Sequence, residues 1–351
     1  MLIFGASYGS LFAAKLLLAG HDVQLACLPA ETSLINREGI RVNLPVKGRE
    51  KSTLLDSRLL PGRLSARVPD EVNPADFDLV VLAMQEPQYR FDDVRTLLTS
   101  VAAHKVPCLS IMNMPPLPFL ARIPGLEAEV CRPCYTDPSV WDVLDPQLIT
   151  HCSADPQASR ALDGPLNELE VRLPSNFKAA RFADEESREM LRNLASSIDS
   201  SSLSGSTHSM ELPVKLRVHD SLFVPLAKWP MLITGNYRCV TTDGVRSIES
   251  AVHGDLETSR AVYQGVLALC RSLGAGEDDL VPFEKYAAAA RFLRAPSSAA
   301  RALSGGAVHI ERVDRLVQAI AMEKGLEPSG LNEIVDLVDL NLADNRIRAK
   351  G

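Results

Sequence analysis

The chain has 351 residues, 46% of them hydrophobic and 23% charged, and a formal net charge of −7. Those proportions describe a globular protein with room for two domains of ordinary size. The acidic balance gives no electrostatic basis for binding nucleic acid or an anionic membrane, and no run of about 18 apolar residues predicts a transmembrane helix.

The first half alternates strand and helix patterns. "MLIFG" is a short apolar run ended by Gly5, and "LFAAKLLLAG" is helical and stops at Gly20. The amino-terminal stretch lacks a positive leading region and is interrupted by Lys15, so it does not read as a signal peptide. "HDVQLACL" predicts a second strand, "AETSLINREG" a helix ending at Gly39, and "IRVNLP" an extended segment. "FDLVVLAM" has the continuous apolar run of a buried parallel strand. "DDVRTLLTSVAAH" predicts a helix, and "VPCLSIMN" and "QLITHCS" predict strands. The Ser-rich "SSIDSSSLSGSTHSM" reads as a flexible loop. After about residue 213 strand signals end, and three helical patterns follow: "DSLFVPLAKWPMLITGNYRCV", "TSRAVYQGVLALCRSL" and "AVHIERVDRLVQAIAMEKG". The expected fold is α/β: a doubly wound parallel sheet over residues 1–213, then an all-helical domain over 214–351.

The seven cysteines are scattered and odd in number, which points to reduced thiols and a cytoplasmic location. Cys131 and Cys134 form a C-x-x-C. A zinc ribbon needs a second pair, which the sequence lacks, so no metal site is expected. Two ordinary thiols are favoured here over a redox motif.

The turn after the first strand carries the chemistry. A dinucleotide loop needs glycines for a tight turn, for close approach of backbone to pyrophosphate, and for helix–strand packing. The following helix supplies free N–H groups and a positive dipole end. Here Gly5 fits the turn, and Gly9 and Ser10 fit the helix start. Ser7 stands where G-x-G-x-x-G has its second glycine, and the loop is one residue shorter than that fingerprint. A strand–turn–helix that packs without a ligand is the rival reading.

The motifs "GSLFAAKLLLAGHDVQLAC", "INREGIRV", "FDLVVLAMQEPQ", "SIMNM" and "LAKWPMLITGNYRCV", in this order, resemble the ketopantoate reductase family. Residues 150–213 carry little of the likeness and leave room for an insertion. The resemblance implies a Rossmann domain followed by a helical domain like that of 6-phosphogluconate dehydrogenase. It also implies NADPH-dependent reduction of a small 2-oxo acid, at a site between the domains. It places the catalytic Lys at Lys228, an active-site Asn at Asn236 and an Asn near the nicotinamide at Asn113. The substrate-orienting acid falls on Glu311, with Asp314 as the neighbouring candidate. The cofactor-binding set is Gly5, Ser7, Tyr8, Gly9, Ser10, Gln85 and Asn113, and a homodimer is compatible with the family.

The chemistry supports Lys228 on its own terms. Hydride delivery leaves charge on a carbonyl oxygen, so a proton donor must reach it. A Lys among apolar residues is partly desolvated, which lowers its pKa toward a useful value. On an ideal helix positions 228, 232 and 236 share one face. The rival for Lys228 is a snorkelling side chain, for Asn236 a helix cap, for Asn113 a turn, and for Glu311 a solvated helix face.

Three positions depart from the family. Leu232 replaces an Asn that the family often has, which favours a ketopantoate-like 2-oxo acid over ketopantoate itself, with an imine, as in opine-type dehydrogenases, as the alternative. Leu28 and Gln85 replace the cations that hold the NADPH 2′-phosphate. Glu31 stands a few residues late for an NAD-type ribose acid, and Arg37 remains within reach of a phosphate. The cofactor is therefore NADP or NAD, with weak discrimination. A dinucleotide sensor without catalysis is the alternative of a different class.

Overall fold

A computed structural model of the chain describes residues 1–161, 163–204 and 209–349. They form two compact units. The first comprises residues 1–84, 88–119 and 140–220, and the second residues 85–87, 120–139 and 221–351.

The strands of the first unit are β1 (Leu2–Phe4), β2 (Val23–Ala26), β3 (Arg41–Leu44), β4 (Thr53–Asp56), β5 (Leu64–Arg67), β6 (Val80–Leu82), β7 (Cys108–Ser110), β8 (Ile149–Ser153), β9 (Gln157–Ser159), β10 (Glu168–Leu173), β11 (Phe177–Ala180), β12 (Ser202–Ser204), β13 (Ser209–Glu211) and β14 (Leu216–His219). Its longer helices are α1 (Gly9–Leu18), α2 (Pro29–Glu38), α3 (Asp92–Ala103) and α4 (Glu185–Ser200). Eight strands form one sheet in the order β14-β11-β8-β7-β6-β1-β2-β5. From β5 to β8 every neighbouring pair is parallel. Numbered by their appearance within this sheet, those six strands run 3-2-1-4-5-6, the order of dinucleotide-binding folds. Beyond them β11 joins β8 antiparallel and β14 joins β11 parallel.

A second sheet, β4-β3-β10-β9, lies in the same unit. Helix α1 packs against β1 and β2 and also against β3 and α4. Its residues Gly9–Leu18 are all buried, which explains why its sequence is apolar on every side rather than on one stripe. Lys15 shares that burial: its ammonium donates to the Pro213 carbonyl (3.1 Å), and burial lowers its pKa to about 8.

Two expectations for this unit are corrected. The strands do not end at residue 213, because β14 lies beyond it and the unit continues to Asp220. Lys215, just before this four-residue edge strand, and Arg217 on it mask its apolar residues, Leu216 and Val218, in the sequence. The Ser-rich stretch begins as helix. Leu191, Leu194 and Ile198 form the buried stripe of α4, which Asp184 caps by accepting from the Ser187 N–H, and β12 follows at once. The centre of that predicted loop, residues 205–208, lies outside the described residues.

The second unit contains α5 (Ile248–His253), α6 (Leu256–Ser272), α7 (Phe283–Ala290), α8 (Ser298–Ser304), α9 (Val313–Glu323) and α10 (Leu331–Arg348). The run read as one long helix over residues 220–240 is instead a chain of short turns. A 3₁₀ segment, Val224–Lys228, leads into an α-turn, Trp229–Met231, a π-turn, Leu232–Asn236, and a second 3₁₀ turn, Tyr237–Cys239. Pro225 and Pro230 each remove a backbone donor from this run, so regular i→i−4 bonding cannot propagate through it. The third helical pattern is also shorter than expected, since its first residues, up to Arg312, precede α9.

Phe177 joins the sheet to α1. It is buried and meets Phe12 edge-on at 5.2 Å and Tyr8 at 6.1 Å. Truncating a buried aromatic ring costs about 3–5 kcal/mol. Phe177→Ala is expected to lower the stability of the first unit by that amount in denaturant titration. A loss below about 1 kcal/mol would show that this aromatic cluster does not support the turn carrying Tyr8.

Candidate active site

In the first unit the turn after β1 is built by two glycines with different duties. Gly5 has φ +95°, and a Cβ there would come 2.6 Å from Met84 Cγ. Its N–H donates to the Ala26 carbonyl (2.9 Å), tying the turn to β2. At Gly9 a Cβ would stand 2.8 Å from Ile3 Cγ2 and 3.3 Å from Ala83 Cβ, so this residue sets how closely α1 approaches β1 and the end of β6.

The loop closes on itself from the helix side. Ser10 N donates to Ser7 O and Leu11 N to Tyr8 O, both at 3.1 Å, and Ser10 Oγ donates to Ala6 O (2.5 Å). Ser10, expected at the cofactor, is buried and spends its hydroxyl and N–H inside the loop. The Tyr8 ring turns inward against Phe177, and its hydroxyl donates to Pro156 O (2.9 Å). Burial holds that phenol well above its ordinary pKa. Ser7 is exposed. Among the described residues, the N–H groups of Ala6, Ser7, Tyr8 and Gly9 have no hydrogen-bond partner. Four unpaired donors at the amino end of a helix suit an anion.

Asn113 is half-buried, three residues past β7. Gln85 is exposed, three residues past β6, and clusters with the second unit. Leu28 is 67% exposed at the start of α2, and Arg37 is exposed and paired with Glu38 (2.7 Å).

In the second unit Lys228 is buried at the junction of the 3₁₀ segment and the α-turn, flanked by Ala227 and Trp229. Asn236 ends the π-turn and is half-buried; its side-chain amide has no hydrogen-bond partner among the described residues. It is not a terminal cap, since a 3₁₀ turn continues past it. The even spacing of 228, 232 and 236 on one α-helical face is corrected, because the π-turn inserts a wider loop of chain. Leu232 is buried in the unit's core. A Cβ at Gly235 would fall 1.9 Å from Tyr286 Oη, and that hydroxyl donates to Met231 O (3.1 Å). The tyrosine thus lies across the π-turn and requires glycine beneath it.

Glu311 is not on a solvated helix face. It is buried, two residues before α9. The Tyr237 hydroxyl donates to its carbonyl (2.5 Å) and accepts from Val313 N (2.9 Å), which fixes the turn. Glu86 N donates to Glu311 Oε1 (3.4 Å). Asp314 is occupied: Arg312 bonds both its oxygens at 2.8 and 2.9 Å.

Glu86 is a buried acid that the sequence did not mark. Thr136 N donates to its Oε1 (3.0 Å) and Thr136 Oγ1 to its Oε2 (2.8 Å). Burial raises its pKa to about 7; Thr136 opposes the rise and Glu311 adds to it. Cys131 and Cys134 are also buried, and burial pushes both thiols up to about 12, away from thiolate chemistry.

No protein-family model matches the chain, and no curated protein matches it in sequence. Solved structures do match it along its length. A 2-dehydropantoate 2-reductase from Methylococcus capsulatus is 14% identical, with 98% of this chain and 96% of that chain covered and a TM-score of 0.65. D-mandelate dehydrogenase, in a ternary structure with NADH and anilino(oxo)acetate, is 15% identical over 99% of this chain and 100% of that chain, with a TM-score of 0.63. A dimeric ketopantoate reductase from Staphylococcus aureus is 10% identical over 98% and 99% of the two chains, with a TM-score of 0.62. The chain has the ketopantoate reductase fold from end to end, as its motifs suggested.

Glu86 makes stability depend on pH. Its pKa rises from 4.5 to about 7 on folding, so the folded state keeps a proton that the unfolded chain releases. Its contribution is fully present below pH 4.5 and is lost as pH rises to about 7. At 1.36 kcal/mol per pKa unit the loss amounts to about 3 kcal/mol. Glu86→Gln removes the titrating proton. Its stability is expected to stay flat across that window in denaturant titrations at stepped pH, while the native chain weakens. Equal slopes for the two proteins would show that Glu86 does not titrate there.

Proposed function

We propose that this protein is an NAD(P)H-dependent reductase that delivers hydride to the carbonyl of a small 2-oxo acid. The observation that carries the reading is the row of unpaired N–H groups from Ala6 to Gly9, at the carboxyl end of the central strand of a 3-2-1-4-5-6 sheet. A pyrophosphate needs donors at that place, and these residues fit it. Ser7, exposed, keeps a side chain where the usual loop has none, so the phosphate stands off somewhat from the backbone.

The nicotinamide dinucleotide, when bound, supplies the hydride. Lys228 then answers the charge that develops on the carbonyl oxygen: its ammonium donates a hydrogen bond and passes a proton to that oxygen. Burial strengthens that interaction, because little water competes for the cation. The Asn236 amide, with its donors uncommitted, is a second contact for the substrate. Glu311, steadied by Glu86 N–H and by the Tyr237 bracket, accepts from a substrate hydroxyl. We extend the proposal to a cytoplasmic homodimer, on the strength of seven unbridged cysteines and the dimeric relative in fold.

The test is turnover of NADH and NADPH with a panel of 2-oxo acids, followed by nicotinamide absorbance. General acid catalysis contributes about 10²–10⁴-fold. Lys228→Ala is expected to lower kcat by at least about a hundredfold while circular dichroism shows the fold retained. Near-normal turnover in that variant would make Lys228 a packing residue and overturn the mechanism.

A further inference from the structure

At the carboxyl end of β2 the chain enters α2 through Cys27 and Leu28. Glu31, in the first turn of α2, is buried. Its Oε2 accepts from Leu28 N (3.2 Å), and its Oε1 accepts from Arg160 Nη1 (2.5 Å). The two side chains are only 11% and 18% exposed. Arg160 comes from the residue directly after β9, in a region that carries no family motif. Its Nη2 is buried with no hydrogen-bond partner among the described residues. Four residues earlier, Pro156 O accepts from the Tyr8 hydroxyl of the glycine turn. Residues 156–160 therefore run as a strap from the glycine turn to Glu31.

Dinucleotide folds bind the adenosine ribose with an acid about 20 residues past the glycine turn, at the end of the second strand. Resting on the dinucleotide reading above, we propose that Glu31 and Arg160 together read the ribose 2′-oxygen and select NADH over NADPH. A hydroxyl is both donor and acceptor. It can give its hydrogen to the Glu31 carboxylate and take one from Arg160 Nη2. A 2′-phosphate is an acceptor carrying about two negative charges near pH 7. It satisfies the guanidinium but is repelled by the carboxylate, and Glu31 has already neutralised Arg160. The nearby basic positions named in the sequence are otherwise engaged. Leu28 replaces one, Arg37 is paired with Glu38, and Arg67, at the end of β5, lines a cavity with Glu71 and Asp76.

The experiment is fluorescence titration of NADH and NADPH at one salt concentration, against the native protein, Glu31→Gln and Arg160→Gln. The native protein is expected to bind NADH at least about tenfold more tightly, a difference of about 1.4 kcal/mol. Glu31→Gln keeps an acceptor for Leu28 N–H and removes the charge. It is expected to tighten NADPH at least about tenfold relative to NADH. Arg160→Gln leaves the carboxylate uncompensated and is expected to weaken NADPH the more. Melting curves establish that the variants fold, and should Arg160→Gln unfold, Glu31→Gln decides alone. A native preference for NADPH, or a ratio unchanged in Glu31→Gln with both nucleotides bound, overturns the proposal and leaves the reductase reading standing. Failure of the native protein to bind either nucleotide overturns both.

Discussion

The absence of a side chain at Gly9 is the constraint on which the first unit depends. Helix α1 begins there, and any Cβ would collide with Ile3 Cγ2 at 2.8 Å. Without that contact distance the helix could not lie against β1 and β6 while also carrying the second sheet on its outer side. The same approach brings the amino end of α1 to the carboxyl end of the central strand, where parallel sheets bind ligands. Packing and the placement of the loop's N–H donors are thus one requirement at this position. A residue that loosened the packing would also withdraw the donors. Gly5 completes the arrangement by taking a positive φ that turns the chain within one residue.

The second unit solves a related problem with large side chains. Lys228 and Asn236 lie on a run in which two prolines forbid a regular helix, and a π-turn carries the chain from one to the other. Such turns are rare and tend to occur at functional sites. Here Tyr286 spans the turn from outside and Tyr237 brackets the backbone around Glu311. Each tyrosine buries its ring and spends its hydroxyl on main-chain groups, so a locally irregular backbone is held without regular hydrogen bonding. Under the proposed reaction such rigidity would hold Lys228 in place as the proton donor.

The physical reasons for what was legible in the sequence are local. "MLIFG", "FDLVVLAM" and "LFAAKLLLAG" carry unbroken apolar runs because their elements are buried on both sides, and such runs cannot be confused with surface structure. Gly5 and Gly9 were legible because each marks a local backbone requirement, a positive φ and a close approach, and Lys228 stood out as a charge among apolar residues. The edge strand β14 was hidden, since an edge tolerates Arg217 and His219 and loses its apolar signature. Of the four-stranded second sheet only β3 was legible, as the extended "IRVNLP", because its partners are short and two of them lie more than 100 residues away. Position 232 was misplaced on a helical face because periodicity assumes one kind of helix, and Pro230 had already broken it.

Glu86 and Arg160 show the deeper limit. Arg160 belongs to no motif and Glu86 is unmarked within its own, and each acquires its chemistry from a residue far away in the chain: Thr136 and Glu311 for one, Glu31 for the other. A carboxyl is an ordinary surface group until the fold removes its water, and only then does its proton become costly to release. An arginine is likewise an ordinary cation until a buried carboxylate claims one of its nitrogens and the other is buried with no hydrogen-bond partner among the described residues. Spacing in a sequence records what the backbone must do locally. Selectivity and proton affinity arise from distant groups sharing a dry environment, so they become visible only when the chain has been followed to where it ends up.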